Sequence, residues 1–236
     1  MCTVSFVYAN GKMIITSNRD EKIMRPNAIE PKNYLINNKK ILFPKDKKAG
    51  GTWYAADEYS NVIVLLNGAS EKHIVKHSYR KSRGIILLEL ISSLSPIESW
   101  ENIDLNDIEP FTIVLFESQK LYQLRWNQIE KETITLDTTK SYIWSSATLY
   151  SEEIRQKREK WFYTFLDTKP EVNEKELFTF HRYTEEDNYE HGMVINRKDI
   201  LKTLSITQTI IEQNRLEMKY FDLLNKHEYN NTFFVI

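Results

Sequence analysis

The sequence predicts an α+β protein in which strands come first, helices follow and strands close the chain. Three observations carry that expectation. The N-terminus reads as a β-hairpin around Asn10-Gly11. Four short segments between residues 111 and 145 alternate as antiparallel strands do. Helical patterns at 84–94 and from Ser151 onward lie between these strands and a closing strand pair. Such an order argues for layered sheets and helices around a shared core.

Thr3 to Ala9 is rich in Val, Phe and Tyr, and Lys12 to Ser17 returns from the turn as a second strand. Asn-Gly suits a two-residue type I′ turn because both central positions need positive φ. Period two puts Cys2, Val4, Phe6 and Tyr8 on one face. The returning strand ends at Asn18-Arg19-Asp20-Glu21, so the hairpin carries this tetrad back beside Cys2. Residues 25 to 50 are polar, with Pro26, Pro31 and Pro44, and read as irregular loop with short strands. Gly50-Gly51-Thr52-Trp53 opens another strand, and the apolar run Val62 to Leu66 is a buried one that ends at Asn67-Gly68. Gly84 to Leu94 is apolar nearly all round and reads as a buried helix, with a second, weaker helix at Glu98 to Ile103.

Phe111 to Glu117, Lys120 to Trp126, Glu132 to Asp137 and Ser141 to Ser145 read as a meander. Ser151 is placed to cap a helix whose first turn holds Glu152 and Glu153. Ile154, Trp161, Phe162, Phe165 and Leu166 form its apolar stripe, and the charged residues of 152–160 read as its solvated surface. Asn173 with Glu176 predicts a capping box opening a helix to about His181. Ile200 to Ile211 and Leu216 to Phe221 are the closing strands, and the tail after Asn225 reads as loose. No linker or repeat interrupts the 236 residues, which are expected to form one domain.

Composition narrows the function. Lys plus Arg is 32 and Asp plus Glu 33, a net charge of −1, so no nucleic-acid partner is expected. The longest stretch without Asp, Glu, Lys or Arg runs twelve residues, Tyr59 to Ser70, too short for a transmembrane helix. No secretory pattern opens the chain, and a cytoplasmic location is expected. The six glycines match neither a dinucleotide fingerprint nor a phosphate-binding loop. A single cysteine excludes an intramolecular disulfide and a cysteine zinc cluster. His73 and His77 have the i, i+4 spacing of helical metal ligands but lack a third partner, so no metal is expected.

The position of that one cysteine is the informative fact. If the initiator Met is removed, Cys2 becomes the first residue and carries a thiol and a free α-amine. The amine, with a pKa of about 7.7–8, can act as base for a thiol of about 8.5. A guanidinium nearby favours the thiolate and a carboxylate orients the amine. Arg19 and Asp20 supply both. The plain alternative is a buried strand cysteine with no chemistry.

Met1-Cys2-Thr3 followed by Ser17-Asn18-Arg19-Asp20-Glu21 resembles the NRDE family, which also contains the eukaryotic transport-and-Golgi-organisation proteins. The resemblance continues through Ala49-Gly50-Gly51-Thr52-Trp53, Leu66-Asn67-Gly68, Ser82-Arg83-Gly84 and Pro110-Phe111-Thr112, in order over most of the chain. It implies a four-layer αββα N-terminal-nucleophile hydrolase fold, two antiparallel sheets packed face to face between helical layers. More distantly, the N-terminus is similar to choloylglycine hydrolases and related acyltransferases, which cleave amide bonds outside peptides. Carried over, the resemblance implies Cys2 as nucleophile, Asp20 as the acid that orients the amine, Arg19 as thiolate partner and Asn67 as oxyanion residue.

Two departures stand out. Arg19 directly precedes Asp20, and adjacent strand residues face opposite ways. Both reach Cys2 only if the strand ends or bulges there, and Asn18 then takes part of the arginine's role. Where those hydrolases carry a second oxyanion asparagine, this chain has Ile143-Trp144-Ser145-Ser146-Ala147, so Ser145 and Ser146 would be shorter donors. Thr52 and Trp53 are further candidates for substrate contact.

The expected function is therefore a cofactor-free cysteine hydrolase that cleaves a small non-peptide amide through a Cys2 thioester. The alternative is a carrier for a small hydrophobic ligand, lipid or haem, on the same fold, with Cys2 free to ligate haem iron. A structural relic with an inert pocket is the third reading.

Overall fold

The computed structural model describes residues 3–169 and 171–234. In chain order the elements are β1 (Thr3–Ala9), β2 (Lys12–Lys22), β3 (Ile29–Ile36), β4 (Lys39–Lys45), β5 (Tyr54–Asp57), β6 (Val62–Asn67), α1 (Arg83–Ile91) and α2 (Pro96–Asn102). Then come β7 (Phe111–Glu117), β8 (Lys120–Trp126), β9 (Lys131–Leu136), β10 (Tyr142–Ser145), α3 (Glu152–Asp167) and α4 (Glu174–Tyr183). The chain closes with β11 (Asn196–Arg197), β12 (Leu201–Glu212), β13 (Arg215–Asp222) and β14 (His227–Phe234). They fall into two compact units, one of Met1–Arg25 with Thr139–Phe233, the other of Pro26–Thr138 with Phe234–Ile236.

The first unit is built on a sheet in the order β10-β1-β2-β12-β13-β14, with β11 added beside β12. Asn10 and Gly11 take φ of 53° and 73°, the pair of positive values the β1–β2 turn requires. The register sets Thr3 opposite Asn18 and Val7 opposite Ile14. Val7, Ile14 and Ile210 pack against Phe162 of α3 and Leu177 and Phe180 of α4, which identifies the face the helices cover. Thr3, Ser5, Asn18 and Asp20 share that face by period two. β2 runs on to Lys22, so the Asn18–Glu21 tetrad lies within the strand rather than at its end. The register irregularity falls on the partner strand: Thr203 opposes Asp20 and Ser205 opposes Arg19, with Leu204 extra.

Two elements depart from the sequence expectation. The sequence predicts β10 as the last strand of a meander, yet it pairs with β1 instead of β9, Ser145 opposite Thr3. The tail read as loose forms β14 beside β13. Its side chains are mostly exposed, as an edge strand allows, so it carries little apolar signal. Asp222 caps the turn into it, accepting from the amides of Leu224 and Asn225 at 2.9 Å each. α4 opens with the predicted capping box of Asn173 and Glu176. Ser151 holds the N-cap position of α3 without a side-chain cap bond.

The second unit is a sheet in the order β3-β4-β5-β6-β7-β8-β9, carrying α1 and α2. The segment expected to hold irregular loop with short strands supplies β3 and β4, of 8 and 7 residues. β6 and β7 are buried along nearly their whole length, the mark of strands covered on both faces. α1 stops at Ile91, and Leu94 lies beyond it, fully exposed. Gly51 and Gly84 meet backbone to backbone: a Cβ on Gly51 would lie 2.4 Å from the Gly84 carbonyl carbon, and one on Gly84 2.6 Å from the Thr52 oxygen. The close approach is why both motifs carry glycine there.

Candidate active site

In the first unit, β2 presents Asn18 and Asp20 on the helix-covered face, both buried. Asn18 is tied to α4 and the chain after it. Its Nδ2 donates to the main-chain oxygens of His181 at 3.0 Å and Met193 at 2.7 Å. With the amide nitrogen so committed, Oδ1 faces His181 Nδ1 at 2.6 Å, and that ring nitrogen carries the proton. His181 Nε2 is then the acceptor for the Ser5 hydroxyl at 2.7 Å. Burial, helped by the charge of Arg158, lowers the His181 pKa to about 3, so the ring is neutral at physiological pH. Period 3.6 accounts for its place: Leu177, Phe180 and His181 lie on one face of α4.

Asp20 is 3% exposed, and both carboxylate oxygens receive hydroxyl donors. Thr203 donates to Oδ1 at 2.5 Å and Tyr150 to Oδ2 at 2.7 Å. The irregularity in β12 aligns Thr203 for this bond. Two guanidinium groups lie over the Tyr150 ring, Arg158 at 3.7 Å and Arg197 at 5.2 Å from its centroid. Arg158 is fully buried. It donates to Thr3 Oγ1, to the Gly192 carbonyl and, at 3.1 Å, to the His191 carbonyl.

Arg19 takes the opposite face of β2, as alternation demands. It is 3% exposed and its charge reaches Tyr220 of β13. Burial pushes the Tyr220 hydroxyl above its ordinary pKa, against the Ser205 hydroxyl and the Arg19 charge. Ser145 ends β10 opposite Thr3 and is half-buried. Ser146 is buried, with Oγ 2.9 Å from Thr148 Oγ1. Cys2 lies outside the described residues. Ser145 and Asn18 flank Thr3 at the start of β1. β2 neither ends nor bulges at its tetrad, so the expected break that would turn Arg19 and Asp20 to one side is absent, and the two take opposite faces.

The remaining candidates belong to the second unit. Asn67 ends β6 opposite Phe111, and Gly68 follows at φ 83° with its amide 3.0 Å from the Pro110 carbonyl. Thr52 is buried, with Oγ1 2.6 Å from Pro44 O and 2.9 Å from Tyr54 O, so its hydroxyl is used within the turn. Trp53 is a core residue of this unit at 4% exposure.

Tyr150, Arg158, His181 and Thr203 escaped the sequence reading as members of one network. The charge pattern of α3 predicts Arg158 on its solvated surface, but the side chain is fully buried. A signal was there: Arg158 follows Ile154 by four residues and precedes Phe162 by four, on the apolar stripe itself. His73 and His77 lie in a segment without helix, and His73 Nε2 is 3.2 Å from Glu109 Oε1. Among the described residues no three His, Cys, Asp or Glu side chains converge as a metal site, and no helix is long and apolar enough to cross a membrane.

Comparison with known proteins agrees with the layered α+β reading. An N-acylethanolamine-hydrolyzing acid amidase orthologue from Caenorhabditis elegans superposes with a TM-score of 0.63, covering 88% of this chain and 92% of that one at 10% identity. A mutant conjugated bile acid hydrolase from Clostridium perfringens gives 0.64, covering 98% and 92%, also at 10% identity. These likenesses show the N-terminal-nucleophile hydrolase fold. No curated protein matches the chain by sequence. Residues 1–228 match the family model described as Transport and Golgi organisation 2.

Proposed function

The chain belongs to the Transport and Golgi organisation 2 family, and on that premise we propose that it is a cysteine N-terminal-nucleophile hydrolase of small non-peptide amides. One observation above all supports the reading: the buried Asp20 carboxylate, held by two hydroxyls, on the strand paired with the first described residues of β1. Thr3, the residue after Cys2 in sequence, opposes Asn18. An arginine and a carboxyl group near an N-terminal cysteine are what activation of its thiol calls for.

In the proposed reaction the α-amine of Cys2 takes the thiol proton. The thiolate attacks the amide carbon, and the developing oxyanion needs a hydrogen-bond donor. The C–N bond then breaks, the leaving nitrogen takes the proton held by the amine, and a thioester remains. Water attacks the thioester, releasing the carboxylic acid and restoring the thiol. Asp20 holds the amine's orientation, and Arg19 favours the thiolate. Support for an amide substrate comes from the fold neighbours, one titled an amidase and one a conjugated bile acid hydrolase.

The test is intact mass after brief alkylation across pH. The single cysteine makes every label a report on Cys2, and the same spectrum shows whether Met1 is gone. Loss of Met1 with rapid labelling near pH 7, followed by turnover of an N-acyl amide, is the expected result. Retained Met1 in the native host, or a thiol that labels only after unfolding, overturns the reading.

A further inference from the structure

Arg158 and Tyr150 lie outside every motif that carries the family resemblance, yet their contacts run to both sides of the proposed site. We propose that they are positioning residues for the N-terminal nucleophile: Arg158 holds Thr3, the residue after Cys2, and through the Tyr150 ring aims the hydroxyl that fixes Asp20. This rests on the hydrolase reading.

A fully buried guanidinium is costly, and each hydrogen bond of Arg158 goes to an uncharged oxygen. Two of those oxygens are main-chain carbonyls of the segment after α4, and the third is Thr3 Oγ1. The side chain therefore bolts the start of β1 to the covering layer. Its guanidinium carbon lies over the Tyr150 ring, 3.7 Å from the centroid. Arg197 lies over the same ring at 5.2 Å and is itself tethered to the carbonyls of Leu149 and Glu190. A ring held by two planar cations has its plane set, and its hydroxyl points at Asp20 Oδ2.

Thr203 holds the other oxygen, so the carboxylate is oriented in two directions before any substrate arrives. An amine at a chain end rotates freely about its last bond, and a fixed acceptor is what turns it into an aimed base. Charged groups on this path are Arg158 and Arg197 over the Tyr150 ring, with Glu190 3.6 Å from Arg197 Nε.

The experiment compares iodoacetamide alkylation rates of Cys2 from pH 5 to 9 in Met1-free wild type, Tyr150→Phe, Arg158→Lys, Asp20→Asn and the Tyr150→Phe/Asp20→Asn double variant. Near-UV circular dichroism checks that each is folded. The expected result is a wild-type thiol that reacts well below the pH of a free cysteine. Tyr150→Phe slows it about tenfold near neutrality, and the double variant is no slower than Asp20→Asn alone. A folded Tyr150→Phe with the wild-type profile overturns the proposal and leaves the hydrolase reading standing. A wild-type profile like that of free cysteine overturns both. Tyr150→Phe loses one hydroxyl only, so the answer does not depend on Arg158→Lys folding.

Discussion

Asn18 and His181 hold each other twice: the His181 ring donates from Nδ1 to Asn18 Oδ1 at 2.6 Å, and Asn18 Nδ2 donates to the His181 carbonyl at 3.0 Å. Strand β2 and helix α4, 163 residues apart in sequence, are joined by this reciprocal pair.

Asn18→Ala should cost about 3 kcal/mol of folding stability. It strands the His181 N–H and removes the donor to two buried carbonyls. A denaturant midpoint within error of wild type would show that water or a neighbour replaces the amide.

His181 makes stability depend on pH. Folded, its pKa is about 3, against 6.5 for the free side chain. Between those values the unfolded chain binds a proton that the folded one refuses. Stability from this group is thus intact above about pH 6.5 and is lost as pH falls towards 3, at about 1.4 kcal/mol per pH unit. His181→Gln should flatten the slope between pH 6 and 4 by that amount, whatever it costs at pH 7. Parallel slopes in urea titrations of the two proteins would sink the assignment.

Gly51→Ala and Gly84→Ala should each destabilise by about 3 kcal/mol. The added methyl meets main-chain atoms at 2.4 Å and 2.6 Å, and backbone cannot rotate aside as a side chain would. Unchanged thermal midpoints would mean the β5 entry and the start of α1 move apart freely.

Lys39 and Asp57 form a buried ion pair at 2.6 Å in the second unit. Lys39 also donates to the Ile91 and Ser93 carbonyls at the end of α1, and Asp57 accepts from Tyr59, Asn61 and the Asn61 side chain. Lys39→Met should cost about 3–5 kcal/mol, because it leaves a buried carboxylate without its cation. Asp57→Asn together with Lys39→Met should recover part of that loss. A double variant no better than Lys39→Met would count against a charge-based account.

Local chemistry made much of this fold legible. The Asn10-Gly11 turn and period two set the β1–β2 register, which in turn puts Asn18 opposite Thr3 at the start of β1. The Asn173–Glu176 capping box marked where α4 begins, and alternation put strands at β7 and β8 within their observed bounds. These signals act over a few residues, and a sequence displays them directly.

Other features came only with the tertiary structure. β10 joins β1 instead of β9, and β14 is ordered by pairing with β13. The hydroxyls on Asp20 come from residues 130 and 183 positions away, and Arg158 reaches Thr3 across 155. No periodicity encodes such partners. A carboxylate in sequence is only a charge; which donors face it depends on how strands distant along the chain come into register, and that is settled by burial of the whole core at once.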